Sequence, residues 1–583
     1  NGRGDLELSI EEEDLLTYVG NNYEKVIVII NACNTMKLGF LNTIKGLDAC
    51  LVVGATGTHG ASSIPSLLYG DVSPSGRLAD TYAYDFESNI NYYRTRAINT
   101  YTNKEGKFDK AFNVYNNGIY VGYKWYETAD KEGIWKDYSR EILDNDTLKT
   151  IKGYDSVVQY PFGYGLSYTS FDWEIVSNKV YDKENNEKNG KVITNEDIIE
   201  LEIKVTNTGN MKGKDVVEVY LTTPYTSGGI EKSYVTLIDF GKTHDIEPSK
   251  FEIIKLSIKV DDFKSYDCYD KNNNGFSGYE LEKGEYQLRL MQNSHLLKEC
   301  EDNILSYQVN NDIRIENDPY TGKKVQNLFT GKDALDGYPL DGIEENNLSS
   351  EDYITRANFV DPKTMQKYEN VSLNETLKKN VIYSEEQANN WDNSNKDIFG
   401  NDVNNNKVIW GDKSTNHKVY DKGQVTELGL QLGKDYNDEK WSEVLNQVTL
   451  NEAISLVGPS YGIKELASIG KPYTAEYDGP MQIKGYTNAV PRGTGFPSAT
   501  VIAQTFSTEL AYQFGLSYGK DCVSLNVAGA WGFAVNLHIS PLGNRNFEYY
   551  SEDATLTANI ATKAILGLQR TGTYPYLKHF VLN

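Results

Sequence analysis

Two strand-like runs near the end of the chain narrow its possible folds most sharply, because each finishes in polar residues. The first, Val535-Asn536-Leu537-His538-Ile539, opens into Pro541-Leu542-Gly543-Asn544-Arg545-Asn546-Phe547-Glu548-Tyr549-Tyr550-Ser551-Glu552-Asp553. The second ends in Leu577-Lys578-His579-Phe580-Val581-Leu582-Asn583. Strand ends that present Arg, Lys and His beside an acidic loop are how a parallel barrel builds a polar pocket at its carboxyl face. Further units stand around them: Ile463 to Pro480 and Ala503 to Asp521 ahead of the first run, and Asp553 to Arg570 between the two. The spacing predicts successive β/α units, opened by an amphipathic helix over Trp441 to Val457.

The other end of the chain follows a similar layering. Ser9-Ile10-Glu11-Glu12 predicts a capping box that starts a helix through Val19, and Lys25 to Asn31 is a candidate buried strand. Leu47 to Gly54 predicts another strand and Gly60 to Tyr69 a helix, before the turn-rich Gly70-Asp71-Val72-Ser73-Pro74-Ser75-Gly76-Arg77. From Asp197 the pattern changes to short alternating strands, Ile198 to Thr206, Val216 to Thr222, Lys255 to Val260 and Glu285 to Met291, the spacing of a β-sandwich. Residues 310 to 436 are rich in Asn, Asp, Lys and Tyr with little periodicity, and predict a long wrapping connection.

Charge limits the partners. With 58 Lys+Arg against 82 Asp+Glu the net charge is −24, which repels nucleic acid and anionic lipid and suits a neutral, hydroxylated ligand. No run approaches the ~18 apolar residues of a membrane span. Five widely spaced cysteines, Cys33, Cys50, Cys268, Cys300 and Cys522, form neither a zinc pattern nor a disulfide framework and predict buried free thiols. Asp270-Lys271-Asn272-Asn273-Asn274-Gly275 imitates half of an EF-hand loop, yet the twelfth position is Leu281 where a bidentate Glu belongs, so a hairpin loop is the preferred reading and no metal is expected.

Tyr477-Asp478-Gly479-Pro480, the Arg545-Asn546-Phe547-Glu548 loop and Lys578-His579-Phe580 together closely resemble the barrel domain of glycoside hydrolase family 3, the family of many β-glucosidases. The resemblance extends to the GATG-like turn, the Pro74-Ser75-Gly76-Arg77 segment and Tyr160-Pro161-Phe162-Gly163-Tyr164-Gly165, which resemble the later half of that family's α/β sandwich domain. Asn207-Thr208-Gly209-Asn210 and Val217 to Leu221 resemble its fibronectin III-like domain.

The resemblance implies a multidomain α/β plus all-β chain in reversed order. Residues 1–175 would be the later part of the α/β sandwich, 176–309 the fibronectin III-like domain, 310–436 the irregular connection, and 437–583 the N-terminal part of a (β/α)8 barrel. It also implies that Asp478, Arg545, Lys578 and His579 hold the sugar, with an oligosaccharide or aryl β-glucoside as substrate and no cofactor. A homo-oligomer stays open, and so does the compartment.

Both catalytic carboxylates are expected outside the chain, a fragment truncated at both ends and inactive alone. The family's nucleophile sits in an S-D-W-like phrase absent here, and its acid/base Glu lies upstream of the stretch resembled by Gly4 to Ser9. Glu548, Glu552 and Asp553 are the alternatives, weighed against the structural ion pairs such acids more often form. Trp531 is read as core or a sugar-stacking ring, and His538 as a satisfied barrel histidine or a ligand contact. Met481-Gln482-Ile483 after the Asp-Gly-Pro, Asn544 in place of the commoner Gly, and Ala528 to Phe533 in place of a Gly-Pro-rich turn depart from the family pattern. Retaining β-glucosidase activity is the leading reading. β-Xylosidase and β-N-acetylhexosaminidase are alternatives within the family, and a non-catalytic carbohydrate-binding protein is the alternative outside it.

Overall fold

The computed structural model describes residues 6–92, 100–102, 109–111, 117–144, 146–319, 321–325, 354–364, 422–433, 435, 437–457, 462–479, 481–484 and 492–579. The expected capping box is formed in both directions: Ser9 Oγ accepts from the Glu12 amide at 3.1 Å and Glu12 Oε2 from the Ser9 amide at 2.8 Å, starting helix Ile10–Asn22. Strands Ile27–Ile30 and Ala49–Val52 pair in parallel. The first is not buried on both faces as its apolar run suggests; Val28 and Ile30 point inward while Ile27 and Ile29 are exposed. The expected helix from Gly60 to Tyr69 is broken into Gly57–Gly60, a 3-10 turn Ala61–Ser63 and Ile64–Leu68, the last with Pro65 in its first turn, where a missing N–H is tolerated.

The alternating strands close over one core. One sheet orders Glu187–Lys188, Phe171–Tyr181, Ile198–Asn207 and Phe251–Lys259; the other orders Thr236–Lys242, Val216–Thr222, Gly284–Met291 and Ile304–Val309. All pairings are antiparallel. Ile199, Leu201, Ile203 and Val205 send every second side chain to the inner face, where they meet Val217, Val219, Leu288 and Leu290 of the opposing sheet. The boundary expected at residue 175 falls inside the first strand, because Phe171 and Trp173 already belong to this core. Of the connection, only short pieces are described. One of them, residues 354–364, is tied back by Arg356, whose Nε pairs with Glu132 at 2.7 Å and whose guanidinium lies over Tyr225.

Strands Thr474–Asp478, Gly529–Trp531 and Tyr574–Pro575 are parallel neighbours in that order. Helices Thr508–Ser524 and Ala554–Gln569 separate them. The helix expected over Trp441 to Val457 is two, Trp441–Leu445 and Leu450–Val457. The strand expected at Val535 to Ile539 is absent. Its backbone turns aside, the His538 amide bonding to the Ser551 carbonyl at 3.1 Å, and among the described residues the pairing with the Lys578 segment is the Ala534 and Lys578 bridge, with the Val535 amide donating to the Lys578 carbonyl at 2.7 Å. Phe580 to Asn583 and Pro480 lie outside the described residues.

The N-terminal unit, the sandwich and the C-terminal unit share a continuous core of Ala79, Tyr123 and Phe162, Tyr220, Leu237 and Phe240, and Phe506, Phe514 and Leu556. Lys242 pins the same junction, its Nζ donating to the Ser75 and Thr505 carbonyls at 2.7 Å each. Burial, with Arg77 and Lys214 adding repulsion, pulls its pKa down to about 7. An unfolded lysine titrates near ~10.4, so between these values the unfolded chain holds the extra proton and stability rises with pH. The urea midpoint of the chain is expected to climb between about pH 7 and pH 9, and Lys242→Met is expected to flatten that climb.

Of the cysteines, Cys522 is buried; Cys33, Cys50, Cys268 and Cys300 are only half-buried, a correction to the expected burial, and all five are free.

Candidate active site

The three parallel strands deliver their carboxyl ends to one place, the end where α/β folds gather functional groups. Asp478 is the last residue of its strand and stands in register with Trp531, the half-buried last residue of the next. Gly479 follows with φ +112°; a Cβ there would collide with the Gln482 carbonyl, so the turn that aims Asp478 needs glycine. Tyr518 of the intervening helix donates its hydroxyl to the Gly479 carbonyl and fixes that turn from behind.

Lys578, just past the third strand, donates to Asp478 Oδ1 at 2.9 Å and lies 3.3 Å from Glu548 Oε2. Arg545 pairs through Nε with the other oxygen of Glu548. The exposures form a gradient: the Glu548 side chain is 4% exposed, Lys578 16%, Asp478 29% and Arg545 41%. Glu548 is thus the buried anchor of two cations, and Asp478 and Arg545 face the open end. The alternation of two acids and two bases leaves no net charge, which suits a polyol with donors and acceptors on every edge.

His579 completes the group. Its amide donates to Asn536 Oδ1 at 2.8 Å, and its Nδ1 lies 3.2 Å from the same oxygen and 3.3 Å from the Tyr549 hydroxyl. Burial, then the Arg545 and Lys578 charges, holds its pKa below the ordinary imidazole value, so the ring is neutral at neutral pH. All four residues expected to bind sugar therefore meet at one site. Asn536 and Tyr549 were not foreseen; Asn536 sits in the run read as a strand, where its side chain carried no visible role.

The remaining acids and His538 are structural. His538 is buried with Nδ1 2.6 Å from Asp80 Oδ1 and Nε2 2.9 Å from the Asn546 carbonyl. Both ring nitrogens face acceptors, so both donate and the ring is an imidazolium. Burial opposes that charge, but Asp80 and Asn546 hold the pKa above its ordinary value. Asn34 donates to the Pro541 and Gly543 carbonyls, each at 2.9 Å. The loop carrying Arg545 and Glu548 is therefore clamped by Asn34 and Asp80 of the N-terminal unit. Glu552 is buried and accepts from the Thr81 amide at 3.0 Å, the Thr81 hydroxyl at 2.7 Å and the Tyr123 amide at 2.8 Å. Asp553 caps helix Ala554–Gln569 and accepts from the Tyr123 hydroxyl at 2.8 Å.

Residues 1–123 match the C-terminal domain of glycosyl hydrolase family 3, and residues 464–582 match the family's N-terminal domain. β-Glucosidase A of Butyrivibrio fibrisolvens is 26% identical over 100% of this chain and 62% of its own length. A β-glucosidase of Ruminococcus albus is 26% identical over 100% of this chain and 50% of its own. The chain thus spans between half and two thirds of these relatives. A solved β-glucosidase from Paenibacillus barengoltzii aligns with 99% of this chain and 53% of its own at a TM-score of 0.66 and 21% identity, a likeness of fold. Among the described residues no helix is long and apolar enough to cross a membrane.

Proposed function

This chain belongs to glycoside hydrolase family 3, with the C-terminal domain of the family placed ahead of the N-terminal one, and we propose on that footing that it carries the sugar-holding part of a retaining β-glucosidase. In this reading the N-terminal unit is the later part of an α/β sandwich domain, the two-sheet unit is fibronectin III-like, and residues 437–583 are the first part of a (β/α)8 barrel. The observation that carries it is the chain of contacts Asp478, Lys578, Glu548 and Arg545 across the carboxyl ends of parallel strands. Asp478 accepts from two sugar hydroxyls, Arg545 and Lys578 donate to others, and neutral His579 serves as donor or acceptor without adding charge.

Hydrolysis with retention needs a carboxylate to attack the anomeric carbon and a carboxylic acid to protonate the leaving oxygen. In this reading both act from outside residues 1–583, because the acids at the site already have structural work: Glu548 binds two cations, Glu552 accepts three hydrogen bonds and Asp553 caps a helix. The substrate is a terminal β-linked glucosyl residue of an oligosaccharide or aryl glucoside. β-N-Acetylhexosaminidase activity is disfavoured by Val581-Leu582-Asn583 following Lys578-His579-Phe580, where that branch continues with P-G-H-G.

Kinetics of the protein encoded by the full gene on nitrophenyl β-glucoside, β-xyloside and N-acetyl-β-glucosaminide test the reading. The glucoside is expected to have the highest kcat/KM. A preference for xyloside would move the assignment within the family, and a gene lacking both flanking acids would overturn catalysis and leave a sugar-binding protein.

A further inference from the structure

The hairpin between strands Ser265–Asp267 and Gly278–Leu281 carries Asp270, Asn272 and Asn274 at alternate positions ahead of Gly275, the oxygen-donor spacing of a calcium loop. By sequence count the closing carboxylate is missing, because Leu281 holds the twelfth position. The fold supplies one a residue earlier. Glu280 is 1% exposed and turns its carboxylate onto the loop: Oε2 accepts from Asn274 Nδ2 at 2.6 Å and from Asn272 Nδ2 at 3.2 Å. Its Oε1 is buried and has no hydrogen-bond partner.

That orphaned oxygen is the telling feature, since a buried carboxylate with an unmet oxygen is expensive unless a cation or donor meets it. A second buried acid, Asp267, adds negative charge beside it while its own oxygens accept from the Tyr269 and Lys271 amides at 3.0 and 2.7 Å. Arg314, on the neighbouring strand Ile313–Ile315, donates to the Asn274 carbonyl at 2.6 Å. Asn272 Oδ1 accepts from the Asn274 amide at 3.3 Å and Asn274 Oδ1 from the Phe276 amide at 2.9 Å, and each oxygen keeps a second lone pair with which to meet a cation beside the Glu280 carboxylate.

We propose that this hairpin is a calcium site whose side-chain ligands are Asp270, Asn272, Asn274 and Glu280. The donors are all oxygen, the set Ca²⁺ takes at high coordination number. Among the described residues no three His, Cys, Asp or Glu side chains group as a metal cluster, so the amides are essential to the set. Asp267 shapes the loop through its amide contacts and adds charge without ligating. The bound ion would fasten the hairpin to Ile313–Ile315, with which Gly278–Leu281 forms a sheet.

The test uses the full chain stripped with EDTA and desalted, then titrated with CaCl2 or MgCl2 while thermal unfolding is followed, with terbium luminescence sensitised by Tyr266, Tyr269 and Tyr279 as a direct binding signal. About 5 mM CaCl2 is expected to raise the unfolding midpoint by about 2 °C or more, and MgCl2 by less than half as much. Glu280→Gln and Asp270→Ala are each expected to lose the calcium shift and to weaken terbium binding at least about tenfold. Metal-free Glu280→Gln is expected to be no less stable than metal-free wild type, because it removes a buried charge, and this separates ligand loss from misfolding. Absence of a calcium-dependent shift and terbium signal up to about 10 mM, or a shift that persists in either variant, overturns the proposal. Sugar binding plays no part in these readouts.

Discussion

Lys578→Met is expected to weaken glucose binding by about 10- to 100-fold, measured by titration calorimetry, with helical content unchanged. Lys578 touches both acids of the site, Asp478 at 2.9 Å and Glu548 at 3.3 Å. Methionine preserves most of the stem volume while removing the ammonium, so the effect reports charge and hydrogen bonding rather than packing. A hydrogen bond to a charged group contributes about 1.5–3 kcal/mol, and each 1.4 kcal/mol is tenfold in affinity. Glu548 would keep Arg545, whereas Asp478 would lose the cation that holds its carboxylate in the aimed rotamer. Unchanged affinity in this variant would make Lys578 a scaffold residue and move the sugar elsewhere.

Glu552→Ala is expected to lower stability by about 3–5 kcal/mol in urea unfolding, a larger loss than any change at the open end of the site. The alanine leaves two amides and a hydroxyl of the N-terminal unit, from Thr81 and Tyr123, buried without their acceptor. Gly122→Ala is expected to approach the same loss from the other side. Gly122 has φ 56° and ψ −133°, a conformation that L-residues strongly avoid, and an added Cβ would fall on the Glu552 carboxylate. Because the two changes strike one contact, their losses in the double variant are expected to fall short of the sum. Additive losses would mean that Glu552 and Gly122 act on separate structures.

The local features of this chain could be read ahead of the coordinates. A capping box depends on residues three apart, and the alternation from Ile198 to Thr206 declares its inner face by itself. The residues proposed to hold the sugar stand in short phrases, Asp478-Gly479-Pro480 and Lys578-His579-Phe580, that resemble a known family. Contacts between distant segments left no such trace. Asp80 and His538 are 458 positions apart, and the Asn34 clamp on the Arg545 loop spans 507 and 509. The failed strand at Val535 to Ile539 has the same cause: its apolar alternation is real, but the His538 amide is taken by Ser551 and its ring by Asp80. Glu280 escaped notice because counting along an EF-hand loop gives position twelve to Leu281, while the strand turns the preceding residue inward.

Titration of glucose into this chain and into Asp478→Ala examines most directly whether Asp478, Arg545, Lys578 and His579 grip one hexose. Saturable binding with a dissociation constant of about a millimolar, lost in Asp478→Ala while the unfolding midpoint holds, is the expected result. Wild-type heats that never saturate, or an Asp478→Ala variant that binds as wild type does, would contradict it.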